Sequence, residues 1–159
     1  MPFTKPCTYA VTAQSPAKPF AVFGVLLHAA AWPTWSAIDA AEAEGGGVLE
    51  GPQQVGDVRV FRTGKAIARE RVVELVADRR FVYENESGPF RSYRGTVELS
   101  QAPQGGTDIV WSAAFEPKAR FSGPFWRWYL ARFMQRMADG LAAYAAGDGY
   151  GYGYGAIRR

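Results

Sequence analysis

The stretch that decides the predicted fold is residues 122–144, SGPFWRWYLARFMQRMADGLAAY. At about 3.6 residues per turn it forms a helix with a wide apolar face and a polar face opposite. The apolar face consists of Trp126, Tyr129, Leu130, Phe133, Met137, Leu141 and Tyr144. Arg132, Gln135 and Asp139 fall on the polar face. Because large aromatic and methionine side chains pack irregularly, a sheet that receives this helix is expected to leave a cavity for an apolar molecule.

The segments before this helix show the alternation of apolar and polar residues that is typical of β-strands. The predicted strands cover residues 8–14, 36–43, 57–63, 67–76, 80–86, 92–101 and 108–116. Two short helical segments are expected after the first strand. One starts at Ser15-Pro16 or nearer Lys18, and the other covers residues 29–32 and is ended by Pro33. Tight turns make the later strands antiparallel, and only the last helix can cover their apolar face. The predicted fold class is therefore α+β, with a curved seven-stranded antiparallel sheet wrapped around a long C-terminal helix.

Composition places the chain among single-domain globular proteins. It has 159 residues, 48% of them hydrophobic, and a net charge of +3. Basic and acidic residues are interleaved, so nucleic acid is not expected as a partner. The lone Cys7 excludes an internal disulfide and favours a reducing compartment. The chain start lacks a signal-peptide pattern and no apolar run is long enough to span a bilayer, so we expect a cytoplasmic protein without stable membrane insertion.

The sequence contains no recognisable set of metal ligands or catalytic motif. His28 is the only histidine and Cys7 the only cysteine, so no metal site and no cofactor are predicted. His28 follows an apolar helical segment, a position more typical of a structural residue than of a catalytic base. No Gly-x-Ser-x-Gly motif is present, which argues against a serine hydrolase of that type.

Three stretches of the chain resemble a known superfamily. They are VFGVLL and AWPTWS at residues 22–27 and 31–36, VGDV at residues 55–58, and ERVVE with DRRFVY at residues 70–83. These motifs and the order of elements resemble the START-like superfamily, also called SRPBCC or helix-grip, in its polyketide cyclase/dehydrase-like branch. The resemblance implies a deep cavity that binds a lipid, polyketide or isoprenoid-like molecule. The resemblance covers about residues 6–146, and the predicted helix-grip domain is residues 1–146. The Gly/Tyr-rich tail, residues 147–159, has a low-complexity composition and is expected to be flexible.

Strand alternation and the helix face together predict which residues contact a ligand. The predicted ligand-binding residues are Trp35, Phe61, Phe81, Tyr83, Asn85, Tyr93, Val97, Trp111, Phe115, Trp126, Tyr129, Phe133 and Met137. On the third strand either Val58 and Val60 or Arg59 and Phe61 could face inward, and Phe61 is favoured. Gly95 is expected to leave space for the ligand.

The meander also predicts the position of the cavity mouth. The turns at residues 64–65 and 85–90 emerge at the end of the sheet where the last helix begins. With Phe121, Phe125 and Trp126 they are expected to form the rim, and the loop at residues 85–90 could act as a lid.

Three functions remain open on the sequence alone. The first is binding of a hydrophobic small molecule, and the second is a cyclase, aromatase or dehydratase that uses the same cavity. The enzyme would be favoured if Tyr83, Tyr93 and either Arg69 or Arg71 converged inside, although both arginines are expected in solvent. The third is an interaction module with a filled core that forms a homodimer through the outward-pointing Trp128 and the tail.

Overall fold

The computed structural model describes residues 5–147. Seven strands form one antiparallel sheet in the order β1-β7-β6-β5-β4-β3-β2. The strands are β1 (Cys7–Ser15), β2 (Ala40–Ala43), β3 (Val58–Thr63), β4 (Ala66–Val76), β5 (Arg80–Asn85), β6 (Phe90–Gln101) and β7 (Thr107–Pro117). Helix α1 (Pro19–Leu27), a 3₁₀ turn (Ala29–Ala31) and α2 (Trp32–Trp35) connect β1 to β2, and α3 (Gly123–Ala146) follows β7. The predicted α+β architecture is confirmed.

The structure decides between the two predicted starts of the first helix and corrects one helix end. Ser15 does not begin a helix: it ends β1, and its Oγ donates a hydrogen bond to the carbonyl of Ala142 at 2.7 Å. Helix α1 begins at Pro19 with Lys18 as its N-cap, as the second alternative predicted. Pro33 does not end a helix, because it lies in the first turn of α2, where its missing N–H costs no intrahelical hydrogen bond.

Helix α3 packs along one edge of the sheet rather than across its centre. Its close neighbours are β1, β7, α1 and α2. The buried residues of α3 are Leu130, Met134, Met137, Ala138, Leu141, Ala142 and Ala145. The predicted apolar face is therefore rotated: Tyr129 is 43% exposed and Phe133 is half-buried, whereas Met134, absent from the prediction, is buried. This rotation turns aromatic residues of the helix towards the rest of the inner face of the sheet, where Trp126 packs against Phe90 of β6 with ring centroids 5.0 Å apart.

The inner face of the sheet follows the predicted alternation on β6 and β7. Tyr93, Val97, Trp111 and Phe115 are all buried. On β3 the buried pair is Arg59 and Phe61, which decides the alternative that the sequence left open.

A bulge shifts the register of β4. The pairing with β5 skips one residue between Val72 and Glu74. Glu70 and Val72 face inward before the bulge, and Leu75, rather than Glu74, packs against the core after it. The bulge therefore keeps a charged residue of β4 out of the core while Glu70 stays inside.

Two predictions concern features of the whole chain. None of the helices within residues 5–147 is long and apolar enough to cross a membrane. The predicted Gly/Tyr-rich tail begins at Gly147, which caps the C-terminal end of α3, and residues 148–159 lie outside the described part of the chain.

Candidate functional site

A cavity of about 300 Å³ lies between the inner face of the sheet and α3. This volume is at the lower end of the range of about 300–1,000 Å³ for small-molecule sites. From the sheet, Phe61, Tyr83, Tyr93 and Trp111 line the cavity, and Trp32 of α2 lines it as well. The helix contributes Trp126, Tyr129, Leu130, Phe133, Met134 and Met137. Aromatic and thioether side chains on both walls make the cavity mainly apolar.

The edge of the cavity is formed where two turns meet the start of α3. Thr63, Ala66 and Ile67 flank the β3–β4 turn, and Gly88, Pro89 and Phe90 belong to the β5–β6 connection. Phe125 stacks on Tyr129 with ring centroids 6.0 Å apart, and both line the cavity. This is the edge at which the sequence predicted the mouth. Phe121, predicted in the rim, does not line the cavity and is 90% exposed.

One wall of the cavity contains a buried ion pair. The Arg59 side chain is fully buried, and its Nε and Nη2 donate to Oε1 of Glu70 at 3.2 and 2.9 Å. Nη1 of Arg59 donates to Oε1 of Gln53 at 3.1 Å. The guanidinium also lies 4.6 Å from the centre of the Trp32 ring and 5.2 Å from that of Tyr83. Such cation–π contacts are strongest where water is excluded.

Glu70 is the member of this pair that lines the cavity. Burial raises the pKa of its carboxyl group above the ordinary value, and the adjacent Arg59 offsets part of that rise. Arg59 occupies Oε1, and within residues 5–147 no hydrogen bond is made to Oε2. Glu70 therefore offers an acceptor oxygen in an otherwise apolar wall.

Three tyrosines form a second polar group beside the ion pair. The hydroxyls of Tyr9 and Tyr93 are hydrogen-bonded to each other, and the indole N–H of Trp111 donates to the hydroxyl of Tyr83 at 3.0 Å. Burial raises the pKa of Tyr9, Tyr83 and Tyr93 above the ordinary value, and for Tyr83 the charge of Glu70 adds to the rise. The phenols are therefore neutral and can donate hydrogen bonds at physiological pH.

Comparison with known proteins identifies the family. A family model described as polyketide cyclase / dehydrase and lipid transport matches residues 6–146. The chain belongs to this family. No protein with a curated description matches it.

Solved structures share the fold of this chain. The protein XoxI from Bacillus cereus is 17% identical with a TM-score of 0.70, covering 89% of this chain and 96% of that one. A START superfamily protein from Mycobacterium smegmatis is 12% identical with a TM-score of 0.71, covering 87% and 97%. Ara h 8.0201 is 17% identical with a TM-score of 0.68, covering 87% and 96%. At these identities the likeness shows the fold alone, which is the predicted helix-grip fold.

The structure brings most of the predicted ligand-binding residues of this family member to the cavity. The residues that line it are Phe61, Tyr83, Asn85, Tyr93, Trp111, Trp126, Tyr129, Phe133 and Met137. Trp35, Phe81, Val97 and Phe115 do not line it and are buried in the packed core. Phe115, for example, packs against Tyr9, Phe90 and Tyr93. Alternation indicates which face of a strand a residue lies on, but not how deep along that face the cavity extends.

The space predicted at Gly95 is occupied by Tyr83. The two residues are cross-strand partners, and a Cβ on Gly95 would lie 2.2 Å from Cζ of Tyr83. The glycine therefore seats the tyrosine ring against the sheet instead of enlarging the cavity. That position holds the Tyr83 hydroxyl beside Trp111.

The other candidate polar residues lie elsewhere. Arg69 pairs with Glu44 and Glu86, and Arg71 pairs with Glu86, so neither arginine lines the cavity. His28 makes a hydrogen bond from Nδ1 to the carbonyl of Gly24 at 2.8 Å, at the end of α1. Within residues 5–147 no group of three or more histidine, cysteine, aspartate or glutamate side chains could hold a metal ion.

Proposed function

We propose that this protein binds a hydrophobic small molecule of the lipid, polyketide or isoprenoid type in the cavity between the sheet and α3. The observation that carries the proposal is the cavity itself, about 300 Å³ in volume and walled by aromatic and methionine side chains. The family description, which includes lipid transport, supports it. Removing apolar ligand surface from water, at about 25 cal/mol per Å², would supply most of the binding free energy.

Glu70 and the tyrosines would orient the ligand. An apolar cavity with a few well-placed polar groups selects a ligand by its polar substituent. Oε2 of Glu70 can accept a hydrogen bond, and the neutral Tyr83 hydroxyl can donate one. The preferred ligand is therefore an apolar molecule that carries a hydroxyl or similar donor in the part that lies against β4 and β5.

Filling the cavity is expected to weaken binding. Ala68 lines the cavity on β4, so Ala68→Phe places a ring in the volume that a ligand would occupy. We expect the affinity for the apolar dye Nile red to fall by at least about tenfold, the loss that follows from about 1.4 kcal/mol. Fluorescence titration measures the affinity. Ala10→Phe, at an exposed position of β1, is the matched control and should bind as the unaltered protein does.

Two results would contradict this proposal. One is an unaltered protein that takes up neither Nile red nor any lipid, polyketide or isoprenoid in native mass spectrometry. The other is equal dye affinity for Ala68→Phe and Ala10→Phe, with both variants folded as judged by circular dichroism.

The position of Glu70 also supports a second candidate function, cyclisation of a polyketide chain. Burial raises the pKa of Glu70 towards the range in which a carboxylate is an effective general base. Glu70 would remove a proton from a methylene group between two carbonyls, while Tyr83 donates a hydrogen bond to the carbonyl oxygen on which charge develops. The enolate carbon would then attack a second ketone carbonyl of the chain, whose oxygen takes up the proton. The resulting hydroxyl would leave with a further α-proton as water. Tyr83 and Tyr93 reach the cavity as this function requires, whereas Arg69 and Arg71 do not.

Glu70→Gln separates the two candidate functions. This substitution removes the basic carboxylate but keeps the shape of the side chain. If the protein is an enzyme, its turnover rate with a linear poly-β-ketone thioester should fall by at least about 100-fold. Product formation is followed by mass spectrometry as loss of water. Nile red affinity should change by less than about threefold, because the dye is held by apolar contacts. Equal rates for Glu70→Gln and the unaltered protein would exclude Glu70 as the base.

A further inference from the structure

The beginning of α3 and the residues just before it form an exposed surface of aromatic and basic side chains. Phe121 is 90% exposed, Phe125 53%, Trp128 59% and Tyr129 43%. The basic residues of the same stretch are exposed as well. They are Lys118, Arg120, Arg127, Arg132 and Arg136. Arg127 points away from the others, towards β1, where its Nε donates a hydrogen bond to the carbonyl of Thr8 at 3.2 Å. We call the other eight residues the aromatic–basic surface.

The charge of this surface is unbalanced. No aspartate or glutamate occurs between Glu116 and Asp139, so the interleaving of basic and acidic residues noted for the sequence as a whole fails in this stretch. None of the four basic residues of this surface forms an ion pair with another described residue. On the sheet the pattern differs, since Arg62, Arg80 and Arg94 each pair with a glutamate. Within the described residues, the basic side chains of this surface therefore carry positive charge that no acidic residue of the same stretch offsets.

The cations and the aromatic rings are intermixed. Arg120 lies 5.2 Å from the ring centre of Phe121, and Arg132 lies 5.5 Å from that of Trp128. The rings of Phe125 and Trp128 are 6.4 Å apart. A partner of this surface must therefore provide both an apolar phase and negative charge within a few ångströms.

The aromatic–basic surface is continuous with the cavity. Phe125 and Tyr129 belong to both, because they are largely exposed and also line the cavity. Ile67, from the strand across the opening, is 49% exposed and lines the cavity too. A partner that covers the aromatic–basic surface therefore also covers the mouth of the cavity.

We propose that the aromatic–basic surface docks reversibly on an anionic lipid bilayer, with the cavity mouth turned towards the membrane. Aromatic side chains favour the headgroup region, and anionic headgroups attract clustered lysine and arginine residues. The bilayer also provides an apolar region into which the exposed ring of Phe121 can insert. Nucleic acid fits less well, since it provides the negative charge without such a phase. Exchange of the bound molecule between cavity and bilayer rests on the proposed function, whereas docking itself does not.

Vesicle co-sedimentation tests the docking. The unaltered protein should sediment with phosphatidylcholine vesicles that contain about 30% phosphatidylglycerol, weakly with pure phosphatidylcholine, and less as salt is raised. Trp128→Ala and Arg132→Glu should each weaken the partition by at least about fivefold, because each removes an anchor of the surface. The matched controls are Val110→Ala, on the outer face of β7, and Arg79→Glu, in the exposed turn at the other end of β4. Both should sediment like the unaltered protein.

Several outcomes would overturn docking. They are no sedimentation of the unaltered protein, equal loss in the controls, or no loss in Trp128→Ala and Arg132→Glu. A dimer in size-exclusion chromatography that Trp128→Ala dissociates, without vesicle binding, would assign the surface to a second copy instead.

Nile red titration without vesicles distinguishes failure of the docking proposal from failure of the proposed ligand binding. Trp128→Ala should bind the dye normally, and a protein that sediments with vesicles but takes up no dye would lose the proposed function and retain docking.

Discussion

Replacing Arg59 by methionine is expected to lower the free energy of unfolding by about 3–5 kcal/mol at neutral pH. The Arg59 side chain is fully buried, and it is the only described cation within hydrogen-bonding distance of Glu70. Methionine fills a similar volume, but it leaves the carboxylate of Glu70 without a counter-ion and the Oε1 of Gln53 without its donor. Urea denaturation followed by tryptophan fluorescence measures the loss.

The loss should depend on pH in a defined direction. In the unfolded chain Glu70 has its ordinary pKa of 4.5, and in the folded variant the pKa lies higher, because Arg59 no longer opposes the effect of burial. The folded state then retains a proton that the unfolded state releases. Stability therefore falls as pH rises above the ordinary value, by up to about 1.4 kcal/mol per pH unit. Arg59→Met should thus be closest to the unaltered protein near pH 5 and furthest from it at pH 7.

Two further variants identify the cause. Arg59→Met combined with Glu70→Leu removes both charges and should recover most of the loss, since apolar residues often replace a buried ion pair without cost. Arg62→Met removes a half-exposed partner of Glu42 from the same strand and should cost less than about 1 kcal/mol. A loss in Arg59→Met that is independent of pH, or a double variant as unstable as the single one, would mean that the cost comes from packing alone.

The ion pair between Arg59 and Glu70 was not predicted from the sequence. The favoured alternative on the third strand placed Arg59 inward together with Phe61, but neither Arg59 nor Glu70 was predicted to contact the ligand, because charged residues are normally exposed. A signal was present in the β3–β4 turn. With Gly64-Lys65 as a two-residue turn, Thr63 pairs with Ala66, and the same register pairs Arg59 with Glu70. Register, rather than alternation within one strand, carries this information.

The fold itself was more predictable than the site. Alternation identified the inner faces of β6 and β7, because Tyr93, Val97, Trp111 and Phe115 lie on strands with strong period-two patterns. The helix wheel identified α3, but not its rotation, which placed Met134 in the core and Tyr129 at the mouth. Rotation is set by tertiary contacts with β1 and the short helices, which no local pattern contains.

One such tertiary contact leads to the second large expected effect, at Gly140. This glycine lies in the interior of α3, where alanine normally stabilises a helix by about 1 kcal/mol. Here the sign should be reversed. A Cβ on Gly140 would lie 2.2 Å from the carbonyl oxygen of Trp35, at the end of α2. Because the obstacle is a backbone atom, it cannot rotate away, and the two helices must separate.

We expect Gly140→Ala to lower the free energy of unfolding by about 1–3 kcal/mol, the usual cost of overpacking a core. The matched control is Gly123→Ala in the same helix. Its Cβ would meet Sγ of Cys7 at 2.8 Å, and a side-chain sulfur can move aside, so the change should be smaller. Thermal and urea unfolding of both variants measure the difference. Equal stabilities would show that α2 and α3 can separate freely, and the deep end of the cavity, where Met137 lies one turn from Gly140, would then not be held at a fixed width.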